Sequence, residues 1–477
     1  MSYKIHANYE QTFLLPPCLD DWIDVNHPAR LVRVFIDSLD LEKLGFKVRQ
    51  SDDGRPNYSA ELLAKIVIYG NFEKVRSTRG LEKMCYNHLG MIWLTGMEHP
   101  DHNSIWRFLY NNKSAMKNLF AESVRLAMEM KLLGLALQAI DGTKIAADVS
   151  KKKTLSRRKL QEILSQLDSV SDEIFEQFAQ SERAESGREY LLPDELSDKD
   201  KLKEKVCDLI SELDDAKTNY LNPTDEDARM MRGGDGRKQF SYNAQAVVDA
   251  QAEIIVAADV IQDGNDNHIL TEMIEQVEQN LGEVATETVA DTGYYSGEQL
   301  AKAQDAEYDV IVNIPEVKTG RRDNTQWEFH KSKFEFDPET DTYICPKGGK
   351  LAFERFGQNK NTKNKKVRTR IYRCQDYENC PFRQKCSKNP IGRTIAISEF
   401  EHAVTAQKIK QKSPENQVLL RKRKTIVEPV FGVIKRIMGF RRWSVRGLAN
   451  VRAQWSIVCC AYNLRKIHAN WAKSALI

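Results

Sequence analysis

Twice along this chain an apolar run that reads as a β-strand ends on an aspartate and passes at once into small, turn-forming residues. Leu132–Ile140 leads into Asp141-Gly142-Thr143-Lys144, and Glu287–Ala290 leads into Asp291-Thr292-Gly293-Tyr294. Short, almost wholly apolar runs fit strands buried on both faces. A carboxylate at the end of such a strand projects into the crevice where ligands of α/β sheets gather. Each aspartate taken alone is equally well a turn former or a helix N-cap. Taken together, two strand-end aspartates in one sheet are placed to share a metal ion.

The elements between them define the sheet. Phe240–Asp249 and Glu253–Val260 read as a strand hairpin, Asn267–Leu281 as a helix with Leu270, Ile274, Val277 and Leu281 on one face, Ser296–Gln304 as another helix, and Tyr308–Ile314 as a last strand. Hairpin strands followed by alternating helix and strand predict a mixed α/β sheet rather than a purely parallel one. Between the first strand and the hairpin, Leu160, Leu164, Leu167, Ile174 and Phe178, and then Leu202, Val206, Leu209, Leu213, Ala216 and Tyr220, repeat at heptad spacing on charged helices. They predict an antiparallel coiled-coil hairpin over residues 151–222, either a passive arm or a contact for DNA or a second subunit.

Residues 1–130 read as a helical domain. Tyr58–Asn71 and Ser77–Asn87 carry apolar residues at helical spacing, the second opened by a serine cap; a Gly- and Pro-bearing connection follows, and a helix restarts over Asp101–Asn111 with Asp101 or Asn103 as cap. The outline fits a helix-turn-helix and fits an ordinary helical bundle equally. The start, MSYKIHANYE, does not read as a signal peptide, and the longest apolar stretches are about half a membrane span. A soluble, cytoplasmic protein is expected, with no membrane partner.

The formal charge of +3 conceals a strong asymmetry. From Glu401 to Ile477 there are 16 Lys and Arg against three acidic residues, a balance of +13, while the preceding 400 residues hold 55 basic and 65 acidic residues, a balance of −10. A basic end of this size predicts nucleic acid as the partner, with a solvated basic face as the bland alternative. Within it Glu428 is the one acidic residue after Glu415, set among Arg421, Lys422, Arg423, Lys424, Lys435, Arg436, Arg441 and Arg442. Pro429 places the helix start near Thr425, because proline is favoured in a first turn. Thr425-x-x-Glu428 then also fits a capping box, which is the rival account of Glu428.

The segments IDGTK, VADTGYYS and IVEPVFGVIKR, with the N-terminal LLPPCLDDWIDVNHPARLVRVFID and GRPNYSAELLAKIVIYG, resemble the DDE transposases of bacterial insertion sequences over nearly the whole chain. That group's C-terminal signature is Tyr-x2-Arg-x3-Glu-x6-Lys. Glu428 and Lys435 match it, while Arg421 and Lys424 stand where Tyr and Arg are expected. The resemblance implies a ribonuclease-H-like catalytic domain over residues 131–477, behind a DNA-binding domain at 1–130. It implies Asp141, Asp291 and Glu428 as catalytic and metal-binding residues and Lys435 as a contact to the transposon end; Arg421, Lys424, Arg436, Arg441 and Arg442 join it as expected DNA contacts. The implied cofactor is Mg²⁺ or Mn²⁺. The implied partners are double-stranded DNA, both terminal inverted repeats and target, and a second subunit in the DNA complex; a bacterial protein would then be nucleoid-associated when on DNA.

Three carboxylates suit this chemistry, since phosphodiester cleavage by two cations about 3.5–4 Å apart needs oxygen ligands and room for water. The expected course is hydrolytic nicking followed by in-line attack of the freed 3′-hydroxyl on target DNA. A non-cutting repressor of the element and a metal-dependent nuclease are the alternatives.

The cysteines number nine, an odd count in a long chain, which argues against a secreted disulfide framework. Cys345, Cys374, Cys380 and Cys386, spaced C-x28-C-x5-C-x5-C within an insertion at 320–400, are candidates for a structural Zn²⁺, with plain reduced thiols as the alternative. Cys459 and Cys460 read as core, as does Trp443, whose other reading is a stacking platform for an unpaired base. Asp225, Asp227 and Arg229, with Asp235-Gly236, read as turn or cap with a metal role as the lesser reading, and Asp263 and Asp266 read mainly as loop, with His268 starting the next helix within reach of the site.

Overall fold

A computed structural model describes residues 18–47, 57–169, 199–215, 218–233, 236–314, 327–360 and 366–474. The N-terminal region is helical: α1 (Pro28–Asp37), α2 (Ala60–Phe72), α3 (Thr78–Asn87), α4 (Leu89–Thr95), α5 (His102–Asn111) and α6 (Ala115–Glu129). The caps follow the local sequence. Ser77 Oγ accepts from Gly80 N, and Asp101 Oδ1 accepts from Asn103 N and Ser104 N, so Asp101 is the cap of α5. The connection expected between α3 and α5 forms a helix of its own, α4, closed by Gly96 in the left-handed conformation.

The main sheet holds β1 (Leu137–Ala146), β4 (Arg229–Arg232), β5 (Lys238–Asp249), β6 (Ile255–Ile261), β7 (Glu287–Ala290) and β8 (Val310–Val312). The short strands β2 (Leu155–Ser156) and β3 (Tyr220–Leu221) pair with each other at the base of the insertion. From β6 the order runs β6-β5-β1-β7-β8, with β4 pairing the first part of β5. The pairs β6–β5 and β5–β1 are antiparallel, and β1–β7 and β7–β8 are parallel. This is the mixed α/β sheet that the sequence predicts.

Helices α9 (Leu270–Leu281) and α10 (Gly297–Asp305) flank the sheet. They are joined there by α12 (Glu401–Lys410), α13 (Pro414–Gly432) and α14 (Leu448–Ser474). Helix α14 packs on α6, α2 and β6, and one continuous apolar core runs from the N-terminal helices into the sheet. Cys459 and Cys460 are fully buried in it.

Both edges of the sheet are closed by side-chain amides. On β6, Asn463 accepts from Ile255 N and donates to Ile255 O, Asn280 donates to Val256 O, and Gln276 accepts from Ala258 N. On the other edge, Gln407 donates to Val312 O, and Gln411 accepts from Ile314 N. Backbone groups that would otherwise be orphaned are satisfied without another strand.

The insertion forms the antiparallel helix pair α7 (Arg157–Ser169) and α8 (Lys199–Asp215). Leu160, Leu164, Leu202, Val206, Leu209 and Leu213 pack between them, and Arg157 at the start of α7 pairs with Asp214 at the end of α8. Tyr220 falls in β3 rather than in the helix. Ile174, Phe178 and Ala216 of the heptads, and Asp235, lie outside the described residues.

A second, antiparallel sheet carries the cysteines: β9 (Glu335–Asp337), β10 (Thr342–Ile344), β11 (Lys350–Lys360), β12 (Lys366–Cys374) and β13 (Thr394–Ser398), with the short α11 (Arg383–Cys386) after β12.

Trp443 is 1% exposed, donates through Nε1 to Ile145 O, and meets Tyr242, Phe440 and Trp455 edge-on. It is core. Trp443→Ala removes a large buried ring and leaves a cavity, so a loss of about 3–5 kcal/mol is expected. An unchanged urea midpoint in that variant would show that the ring does not hold this end of β1.

Candidate active site

Strand β1 does not stop at Asp141. It continues to Ala146 because β5 pairs antiparallel with it throughout, Asp141 opposite Ala246 and Gly142 opposite Gln245. What stops is its other neighbour. Strand β7 pairs in parallel with Leu137–Ile140 only, ending with Ala290 beside Ile140. Asp141 and Asp291 are therefore the next residues on two adjacent strands, which lie about 4.8 Å apart in any sheet. Asp291 begins the short turn Thr292–Tyr294, and its Oδ1 accepts from Gly293 N at 2.8 Å. The cap reading of Asp291 and its strand-end placement are both true of the same residue.

Asp141 is half-buried. Its Oδ1 accepts from Gly142 N at 2.9 Å, and its Oδ2 lies 2.9 Å from Nη1 of Arg423. Burial pushes the carboxyl above its ordinary range; Arg423 pulls it back, and the nearby Asp291 charge pushes it up again. Lys435 donates through Nζ to Thr143 Oγ1, two residues along β1, and burial lowers its ammonium while Asp141 raises it.

Both cations come from α13 and the turn after it, which pack on β1 and β7. Helix α13 begins at Pro414, capped by Ser413 Oγ, and not near Thr425. Thr425 lies well inside the helix with its hydroxyl donating back to Lys422 O, so the capping box with Glu428 does not form. Pro429 is an interior proline, followed directly by a π-helical turn at Val433–Ile437. Such wide turns gather at functional sites. Glu428 lies between Arg423 and Lys435 along this stretch; it is exposed and makes no described hydrogen bond or ion pair. Arg423, by contrast, is buried. Sequence reading passed over it as one of a basic run. Its signal was the spacing with Val427, Val430 and Ile434, the buried stripe of the helix.

Of the other basic residues, Arg421, Lys424 and Arg436 are exposed with no described hydrogen bond or ion pair. Arg441 donates to Lys435 O, and Arg442 donates to Ala147 O and Val149 O, docking the segment after the π-turn on the end of β1.

A third acidic group, in the loop before α9, lies beside the backbone that follows these two aspartates. Asp266 Oδ1 accepts from Asn243 Nδ2 at 2.6 Å and Gln245 Nε2 at 2.7 Å, and Tyr294 donates to Gln245 Oε1. Asp225 and Asp227 are turn and cap residues: Asp225 accepts from Tyr242 and Gly447 N, and Asp227 accepts from Leu448 N at the start of α14. Asp263 pairs with His268.

The oxygens suit a hard divalent cation, being acceptor-only when ionised. They are not drawn together in advance: among the described residues no three His, Cys, Asp or Glu side chains are arranged to hold a metal ion. The cysteines follow the same pattern. Register places Cys345, just past β10, and Cys374, at the end of β12, at one end of the second sheet; Lys347 N and Gly349 N donate to Cys345 Sγ. Burial first, and neighbouring thiols second, raise Cys374, and burial raises Cys386 to about 11.

A family model described as Transposase DDE domain matches residues 344–468, and one described as Transposase domain (DUF772) matches residues 17–111. The protein is a transposase with a DDE domain. Its reaction is DNA transposition by cutting and strand transfer, and transposases of this kind use divalent metal ions. The DDE match includes Glu428, Lys435 and the four cysteines, and stops short of Asp141 and Asp291. No curated protein matches the transposase. A solved piggyBac transposase synaptic complex with hairpin DNA aligns with 95% of this chain and 77% of its own, at 9% identity and a TM-score of 0.33, a likeness too slight to bear on fold or mechanism. Among the described residues no helix is long and apolar enough to cross a membrane.

Arg423→Gln removes the cation that opposes protonation of Asp141. The Asp141 carboxyl then rises further, and the acid limb of the pH profile for DNA cleavage moves to higher pH. A limb that stays in place would show that Asp141 is not the group titrating there.

Proposed function

We propose that this transposase cuts and joins the ends of its own insertion sequence, using a divalent-metal site made by Asp141, Asp291 and Glu428. The observation that carries this reading is the parallel register that ends β7 at Ala290 beside Ile140 and so sets two aspartates side by side. Glu428 completes the set from α13, whose neighbours Arg423 and Lys435 already reach Asp141 and Thr143. Bound Mg²⁺ or Mn²⁺ would activate water for nicking and stabilise the charge that develops on the leaving oxygen.

The remaining work falls to the chain. Arg423 opposes protonation of Asp141 and fixes one oxygen, leaving the carboxylate oriented before DNA arrives. Lys435, with Arg421, Lys424, Arg436 and Arg441, supplies charge for phosphates of the transposon end and the target. Arg442 contributes less, since two of its nitrogens bond backbone carbonyls. The helices of residues 1–130 recognise the terminal repeats, and two chains act together because two DNA ends must be paired. Cytoplasmic expression with attachment to the nucleoid is the setting this requires.

Asp141→Asn, Asp291→Asn and Glu428→Gln each remove a metal-facing charge while keeping side-chain shape. With Mg²⁺ and DNA carrying the element's terminal repeats, each is expected to lower cleavage and strand transfer about 1000-fold, equivalent to about 4 kcal/mol of barrier. Cleavage that survives all three changes would sink the triad; loss in the two aspartate variants alone would remove Glu428 from it.

Cys345, Cys374, Cys380 and Cys386 hold a structural Zn²⁺ in this reading, the metal relieving repulsion among thiolates and tying the second sheet together. Elemental analysis of the purified protein should find about one zinc per chain, lost in Cys374→Ser together with a lower Tm. Zinc-free protein with a normal Tm would leave them as ordinary thiols.

A further inference from the structure

Two glycines in the site have no room for a side chain, and the same residue stands in both gaps. A Cβ on Gly142 would collide first with Gln245 Nε2, the amide that holds Asp266, and lie 3.0 Å from Asp266 Oδ1; a Cβ on Gly293 would lie 3.3 Å from Asp266 Oδ2. Gly142 directly follows Asp141, and Gly293 closes the turn that Asp291 caps. Asp291 Oδ1 is 2.9 Å from that same point beside Gly293. Asp266 thus lies against the backbone just past both aspartates, in space that any larger residue in either motif would fill.

Its two oxygens are not equivalent. Oδ1 is fixed by the amides of Asn243 and Gln245, whereas Oδ2, on the Asp291 side, has no described hydrogen bond. A second observation points to something missing. Asn243 is fully buried, and its Nδ2 serves Asp263 O and Asp266, but its Oδ1 has no partner; it lies 3.0 Å from the same point beside Gly142 as Asp266 Oδ1. A buried acceptor without a donor costs about 1–3 kcal/mol unless something supplies a hydrogen. Water on a cation beside Asp266 would supply one.

We propose that Asp266 is a further carboxylate of the metal site, contributing Oδ2 to a divalent cation shared with Asp141 and Asp291. This rests on the metal-site reading above. The glycines of the two motifs then have a stated purpose: they admit this third aspartate from the loop before α9. The buried amides hold one of its oxygens so that the other is presented.

The test uses the full-length protein and Mn²⁺ binding followed by electron paramagnetic resonance, without DNA or turnover. Asp266→Asn keeps the size of the side chain and an oxygen for the two amides. It is expected to weaken Mn²⁺ binding at least about tenfold while Tm stays near that of the unaltered protein. Asp141→Asn serves as the reference. If Asp141→Asn weakens binding and Asp266→Asn does not, Asp266 is a structural hydrogen-bond acceptor and the inference fails while the metal site stands. If neither variant changes Mn²⁺ binding, the metal-site reading falls and this inference with it. Should Asp266→Asn not fold, Fe²⁺-generated hydroxyl radicals on the unaltered protein give the answer. Chain scission near residue 266, together with 141 and 291, supports the assignment; scission at 141 and 291 alone overturns it.

Discussion

Two negative charges on neighbouring parallel strands repel, and the structure around them is arranged about that repulsion. Burial makes it worse for Asp141, whose carboxyl is raised by desolvation and by Asp291. A single buried cation, Arg423, meets it at 2.9 Å. That contact requires α13 to lie across β1 and β7, which in turn requires the long run from Pro414 through an interior proline and into a π-turn. The same run brings Lys435 to Thr143. The helix is thus held to the sheet by ion pairing and hydrogen bonding as well as by Val427, Val430 and Ile434 in the core.

Much of the sheet was legible because its strands are short and apolar, with turn residues between them. Strand β7 and its terminal Asp291 were read to the residue, since a four-residue run bounded by Asp and Gly admits little else. Strand β1 was displaced toward its end. Leu132 and Leu133 look like strand residues by composition but belong to the exit from α6, and the polar stretch Gly142–Lys144 is strand only because β5 pairs with it. A partner strand a hundred residues away leaves no local mark.

Around Glu428 local rules misled. Proline favours first turns, and Thr425-x-x-Glu428 has the form of a capping box, yet Ser413-Pro414 starts the helix earlier with an equally good cap. Tertiary packing of α13 on the sheet outweighed the unfavourable proline. Asp266 was hidden for a different reason: QDGNDNH has the composition of a loop and is one. Its importance comes from glycines distant in sequence, which a reading of residue types alone has no means to connect to it.

The amides along β6 and β8 leave neither edge strand free to recruit another strand there. Asn463, Asn280 and Gln276 occupy one border, and Gln407 and Gln411 the other. Strand addition between two copies of this chain is therefore blocked at these positions of β6 and β8. Asn463 lies 208 residues after Ile255, so β6 acquires this guard long after the strand itself is synthesised; until then a nascent chain carries an open strand border at Ile255.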